Sequence, residues 1–179
     1  SALPDRPKLL WPNGNRLAFY VLLHLEYWEL EPPKGVHTDP RFKGPRGDYS
    51  PDYRYFTQRE YGNRIGIFRI FDLLDRHGVK ATVAANAGAC ERYPNLIAAC
   101  LERGYEIAAH GDYQTRMITS DMEEVDERHV IERTTEIVEK AVGHRPTGWL
   151  GVDSNESTRT PQLLAEAGYD YQLDWPNDD

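Results

Sequence analysis

Residues 16–30 read RLAFYVLLHLEYWEL, and all but one of the positions from Leu17 to Leu25 are apolar. A strand with one wet face alternates apolar and polar residues; a run this dense belongs to a strand covered on both faces, as in a parallel sheet flanked by helices. The rest of the chain extends that reading. VKATVAANA (79–87), YEIAAHG (105–111), RPTGWLGV (145–152) and YDYQLDW (169–175) each read as a short strand. Before the first of these, YGNRIGIFRIFDLLDRHG (61–78) sets Ile65, Phe68, Ile70, Phe71 and Leu74 on one helical face, with Asn63 as a candidate cap and Gly78 as a stop. YPNLIAACLERG (93–104) opens near Pro94, SDMEEVDERHVIERTTEIVEKAVG (120–143) begins with a Ser/Asp cap and an acidic first turn, and TRTPQLLAEAG (158–168) reads as a last helix. Strands alternating with helices imply right-handed βαβ units and a parallel sheet, open or curled into a barrel. Residues 31–60 break the alternation. Rich in Pro, Gly, Asp and Tyr, they are expected to form a long loop over the pocket mouth, carrying Tyr49, Tyr53, Tyr55 and Phe56.

The chain of 179 residues is expected to be a single domain, residues 1–179, with an ordinary core, since 40% of its residues are hydrophobic and 28% charged. A formal charge of −8 leaves no basic surface for phosphates and argues against a nucleic-acid partner. No apolar run reaches a membrane-spanning length, so no membrane partner is expected either. The only cysteines, Cys90 and Cys100, read as reduced core thiols of a cytoplasmic protein.

In parallel α/β folds the chemistry sits at the C-terminal ends of the strands. That rule selects His24, Glu26, Tyr27 and Glu29 after the first strand, Asn86 after the second, and His110 and Asp112 after the third. Trp149, Asp153 and Asn155 follow at the fourth, and Asp174, Asn177, Asp178 and Asp179 at the fifth. Glu26 closes an apolar run, where desolvation would raise its pKa towards that of a useful general base. His110 leaves its strand before a glycine and reads equally as a proton carrier, a single metal ligand or a structural residue. Arg145 lies before a turn proline, where it could clamp a carboxylate or simply face solvent.

Three stretches, 11–29 (WPNGNRLAFYVLLHLEYWE), 59–111 (REYGNRIGIFRIFDLLDRHGVKATVAANAGACERYPNLIAACLERGYEIAAHG) and 144–179 (HRPTGWLGVDSNESTRTPQLLAEAGYDYQLDWPNDD), together resemble the polysaccharide deacetylase superfamily. The likeness is greatest to its branch of allantoinase-like and cyclic imide hydrolase-like enzymes. This resemblance implies an α/β fold, a distorted and incomplete (β/α) barrel with fewer strands than a full TIM barrel. It also implies hydrolysis of a non-peptide C–N bond. The family's first strand ends in two acids, a general base and a metal ligand; the matching pair here is Glu26 and Tyr27. Its two histidines four residues apart match His110 and Gln114, so one of three metal ligands survives. By the same match Arg145 would orient Glu26, and Trp149 would wall the pocket.

The expected catalytic set is therefore Glu26, His110 and Arg145, with Tyr27, Trp28, Asn86 and Trp149 around the substrate. No cofactor is expected; zinc or another divalent metal would need His110 together with Glu29 or Asp112. The family's further C-terminal histidine has no counterpart before the WPNDD end, so the C-terminal part of the domain is expected to be missing. The substrate expected is a small cyclic amide, imide or ureide, or an N-acetylated sugar. A non-catalytic scaffold that binds carbohydrate or a small ring is the alternative, and a homo-oligomer is compatible with either.

Overall fold

The computed structural model describes residue 5 and residues 10–36 and 50–175. Five parallel strands, β1 (Val21–Leu25), β2 (Ala81–Ala85), β3 (Glu106–Ala109), β4 (Gly148–Trp149) and β5 (Tyr171–Gln172), lie side by side in chain order. The helices are α1 (Tyr53–Tyr61), α2 (Ile67–His77), α3 (Ala87–Arg92), α4 (Pro94–Glu102), α5 (Glu124–Val142) and α6 (Thr160–Glu166). When every crossover is right-handed and returns beside the strand it left, the helices collect on one face and the sheet bends around the other. An open arc of a (β/α) barrel results, as the alternation predicts.

Side-chain parity fixes what each face carries. Leu23, Leu25, Val83, Ala85, Ile107, Ala109 and Trp149 join the core with Phe71, Ile97, Ile131, Val138 and Leu164 from the helices. His24, Ala84, Ala108 and Gly148 alternate with them and fall on the opposite face. Only five residues of the long apolar run pair as a strand, because β2 offers five partners; Leu17 and Phe19 lie before the ladder and are exposed.

Part of the expected loop is a helix. Residues 53–61 form α1, capped by Asp52, whose carboxylate accepts the Tyr55 N–H at 3.1 Å. A π-turn, Gly62–Gly66, then joins α1 to α2 without a break in helical dihedrals. The wider turn shifts the apolar face, so Ile67, Phe71 and Leu74 are buried while Ile65, Phe68 and Ile70 are exposed. Asn63 is not a cap; it lies in the π-turn and donates to the Glu26 carbonyl at 2.8 Å. Tyr49 lies outside the described residues.

Helix α5 begins at Glu124 rather than at Ser120, and its first turn carries Glu124, Asp126 and Glu127. Glu127 is fully buried. Its carboxylate meets Ser157 Oγ at 2.8 and 3.0 Å, Thr160 Oγ1 at 2.5 Å and Arg159 Nη2 at 3.3 Å. This acid ties α5 to the segment between β4 and α6. Replacing it by alanine leaves several buried or half-buried donors without an acceptor, so Glu127→Ala should lower the unfolding free energy by roughly 3 kcal/mol in urea denaturation. Glu127→Gln, which keeps the volume and one acceptor, should cost less.

Candidate active site

The register sets the site. Leu25 pairs with Ala85, Ala85 with Ala109 and Ala109 with Trp149, so the next residues, Glu26, Asn86, His110 and Leu150, form one row at the C-terminal rim. Ala84 and Ala108 carry only methyl groups beneath that row, which leaves room for larger side chains to converge. Glu26 Oε1 lies 3.1 Å from His24 Nδ1 and 3.3 Å from His110 Nε2, and Trp28 Nε1 donates to Oε2 at 2.9 Å. The two imidazoles meet edge to face, 5.3 Å between centroids. His110 is buried, and its Nδ1 lies 2.8 Å from the Leu150 carbonyl. A carbonyl oxygen only accepts, so Nδ1 carries a proton, and Nε2 is the ring atom turned to Glu26.

Desolvation of Glu26 raises its pKa, but the hydrogen bonds from His110, His24 and Trp28 and the charge of His110 outweigh it and bring the carboxyl down to about 2. The expectation of a raised pKa is therefore reversed. Burial alone would favour the neutral acid; burial among donors favours the anion. Beside it, the half-buried Arg59 places its guanidinium carbon 3.6 Å from the centre of the Trp28 ring, within electrostatic reach of Glu26. A cavity of about 220 Å³ is lined by His24, Glu26, Trp28, Arg59 and Asn63, with the start of α2 behind.

Of the expected site residues, the fold brings Glu26, His110 and Trp28 together. His24 joins them; its rim position was legible, but its parity with Glu26, two residues on along one face, is the signal that assigns it to the cluster. Arg59 was hidden in the segment read as a loop. Arg145 precedes β4 and so lies at the N-terminal end of the parallel sheet, where it bonds the Ala167 carbonyl and approaches Glu139 at 3.8 Å. It does not reach Glu26. Trp149 is fully buried on the helix side, edge to face with Tyr169 at 5.4 Å, and does not wall the pocket.

Asn86 is also fully buried. Its Oδ1 accepts the Tyr27 N–H at 3.1 Å and the Ala89 N–H at 2.8 Å, and its Nδ2 donates to the Tyr27 carbonyl at 3.2 Å. It is a backbone clamp and helix cap, not a substrate contact. The Tyr27 ring lies between those of Tyr93 and Tyr113, over Gly88 and under Arg92, away from the imidazoles. Gln114 is buried, and its Oε1 has no hydrogen-bond partner among the described residues. A tyrosine packed among aromatic rings and a neutral carboxamide do not fit the acid–histidine set that the family's zinc requires. Neither substitute is available. Arg116 grips Glu29 through two bonds of 2.9 and 2.6 Å with Thr115 adding a third of 2.7 Å, and Asp112 is held by Arg133 and, at 3.3 Å, by Arg116.

On the far side of the row, Asn155 Nδ2 donates to the Asp153 carbonyl, a contact within the β4–α6 segment. Asn177, Asp178 and Asp179 lie outside the described residues. Asp174 is buried; its Oδ1 accepts the Gly151 N–H at 2.6 Å, and its Oδ2 has no partner among the described residues. Burial pushes its carboxyl up to about 6. A folded pKa above the unfolded one gives stability that is whole below the unfolded value of 3.8 and is lost as pH rises through 6. Asp174→Asn keeps the oxygen for Gly151 and removes the charge. It should stabilise the fold by on the order of 2 kcal/mol at about pH 8 and by nothing at about pH 3, as read by chemical denaturation at the two values.

Comparison with known proteins identifies the family and the fold. A polysaccharide deacetylase family model matches residues 60–172. The peptidoglycan deacetylase of Helicobacter pylori (strain ATCC 700392 / 26695) is 25% identical over 125 residues, 70% of this chain and 41% of that protein. Among solved structures, Puue allantoinase superposes with a TM-score of 0.78 at 26% identity, covering 94% of this chain and 57% of the other. A probable polysaccharide deacetylase from Pseudomonas aeruginosa PAO1 gives the same score and coverage at 27% identity. The chain thus spans about half the length of the proteins it matches. With the family model extending from the end of α1 to β5, over more than half of the chain, the chain belongs to the polysaccharide deacetylase family.

Proposed function

We propose that the Glu26 cluster hydrolyses the acyl C–N bond of a small polar substrate. The observation that carries this reading is the convergence of two imidazoles and an indole N–H on one ionised carboxylate at the C-terminal rim of a parallel sheet. Family membership and the likeness to a peptidoglycan deacetylase support an N-acetylated sugar as substrate. The likeness to Puue allantoinase supports a cyclic amide, imide or ureide as the second class. Two free, buried thiols, Cys90 and Cys100, are compatible with work in a reducing compartment such as the cytoplasm. No described helix is long and apolar enough to cross a membrane.

Each group has a task in this reaction. A carboxyl at about 2 is a weak base, so Glu26 is not the residue that takes the proton from water unaided. It fixes both imidazoles and holds negative charge against them. Histidine is the side chain that ordinarily moves protons near neutrality, and His24, the exposed one of the pair, keeps Nε2 for water or substrate once Nδ1 faces Glu26. Arg59, stacked on Trp28, supplies positive charge at the cavity wall, where a carbonyl oxygen gaining charge would be stabilised. No step is routed through a metal on the inherited ligand positions, because Tyr27 and Gln114 do not fit one.

Acetate release from N-acetylglucosamine oligomers and ring opening of cyclic ureides and imides provide the assays. Glu26→Gln should reduce kcat/KM on the accepted substrate by about 100-fold or more, while Arg145→Ala, at the other end of the sheet, should stay within about twofold. Unchanged turnover in Glu26→Gln would overturn the reading. Saturable binding of these compounds without turnover would favour the scaffold alternative, which the substituted metal positions support.

A further inference from the structure

The donor atoms of His24, Glu26 and His110 converge at the rim. His110 Nδ1 lies 2.8 Å from the Leu150 carbonyl, which turns Nε2 to the cluster. Nε2 lies 3.3 Å from Glu26 Oε1. A ring nitrogen and a carboxylate oxygen at this distance share either an imidazole proton or a metal ion. The surroundings favour the metal. His24 Nδ1 approaches the same Oε1 at 3.1 Å, and the three donor atoms lie within 4.8 Å of one another. Ligands about 2.0–2.1 Å from a tetrahedral zinc ion sit roughly 3.4 Å apart, close to the two contacts made by Glu26. Any excess span between the two imidazoles can be taken up by rotation of the exposed His24 ring.

The outer contacts are those a metal site needs. The Leu150 carbonyl fixes the tautomer and plane of His110, and Trp28 Nε1 holds Glu26 Oε2 so that Oε1 is turned to the imidazoles. Two nitrogens and one carboxylate oxygen suit a borderline ion such as zinc better than calcium or magnesium. Three protein ligands leave a fourth position, and the exposed His24 puts the cluster at the cavity lined by Trp28 and Arg59.

We propose that His24 Nδ1, Glu26 Oε1 and His110 Nε2 form a zinc-type divalent cation site, displaced from the Tyr27 and Gln114 positions where the family's ligands would stand. The assignment rests on the proposed hydrolysis for the purpose of the site, but binding is read without substrate. With an ion bound, His24 and His110 would be ligands, the proton-carrying role of His24 would belong to the metal-free chain, and Glu26 would supply the site's negative charge.

The test is calorimetric titration of the chelator-treated full chain with zinc, with cobalt substitution as a second readout. One equivalent of zinc should bind with a dissociation constant of about 1 μM or tighter, and cobalt should give the visible absorption of a tetrahedral ion. His24→Ala and Glu26→Gln should each weaken binding by about 100-fold, and Gln114→Ala should leave it unchanged. His24 is exposed, so its variant probes binding with little risk to folding, and circular dichroism verifies the fold of all three. Absence of saturable zinc binding, equal binding in His24→Ala and Glu26→Gln, or loss confined to Gln114→Ala would each overturn the assignment. The two readings fail separately: a metal-stripped chain that hydrolyses without binding zinc refutes the cation site, and a chain that binds one zinc through these residues without turnover refutes the hydrolysis.

Discussion

Parallel register is the constraint on which the rest depends. Backbone pairing aligns Leu25, Ala85, Ala109 and Trp149, and so decides that Glu26, Asn86, His110 and Leu150 leave the sheet at one level. A one-residue slip of β1 would turn Glu26 towards the helices and bury it among Phe71, Leu74 and Ile67. The apolar residues of odd parity, packed under the helices, are what forbid that slip. Asn86 reinforces it beyond the last ladder bond, because its side chain gives Tyr27 a donor and an acceptor where a strand neighbour would otherwise have to be.

Charges near the rim are sorted by what surrounds them. Glu29 and Asp112 lie close to the site in sequence, yet guanidinium groups hold both, and they brace the segment after β3. Glu127 does the same beneath the segment after β4. Glu26 differs because its hydrogen-bond partners are an indole N–H and two imidazoles, with the Arg59 guanidinium nearby. A carboxylate locked to arginine has nothing left to offer a ligand, whereas one held by histidines can exchange a proton for another cation. Asp174 is the opposite case, an acid with one backbone donor and one oxygen without a hydrogen-bond partner among the described residues.

The five strands and most of the helices were legible because hydrophobic periodicity reports burial directly. The rim residues were legible because parallel sheets put chemistry at one end. What escaped was set by contacts distant in sequence. Desolvation at Glu26 could be inferred from its neighbours along the chain; the donors that reverse its effect come from His110, 84 residues on, as well as from nearby His24 and Trp28. Trp149 looked like a pocket wall until the two-residue strand β4 fixed its parity. Arg145 was assigned by resemblance to a role that its place ahead of β4 rules out. The helix at 53–61 was masked by its polar composition, since none of its residues is buried and no apolar stripe marks it.

The π-turn at Gly62–Gly66 has a geometric meaning for this cavity. It holds one residue more than an α-turn would, and α1 and α2 run through it as one helix. Removing a single residue there would restore ordinary helical phase and swing everything before it by about 100° relative to α2. The core face of Ile67, Phe71 and Leu74 would stay where it is, but Arg59 would leave the Trp28 ring. The inserted residue thus acts as an angular setting, uncoupling the direction in which α1 presents its side chains from the packing that anchors α2 to the sheet.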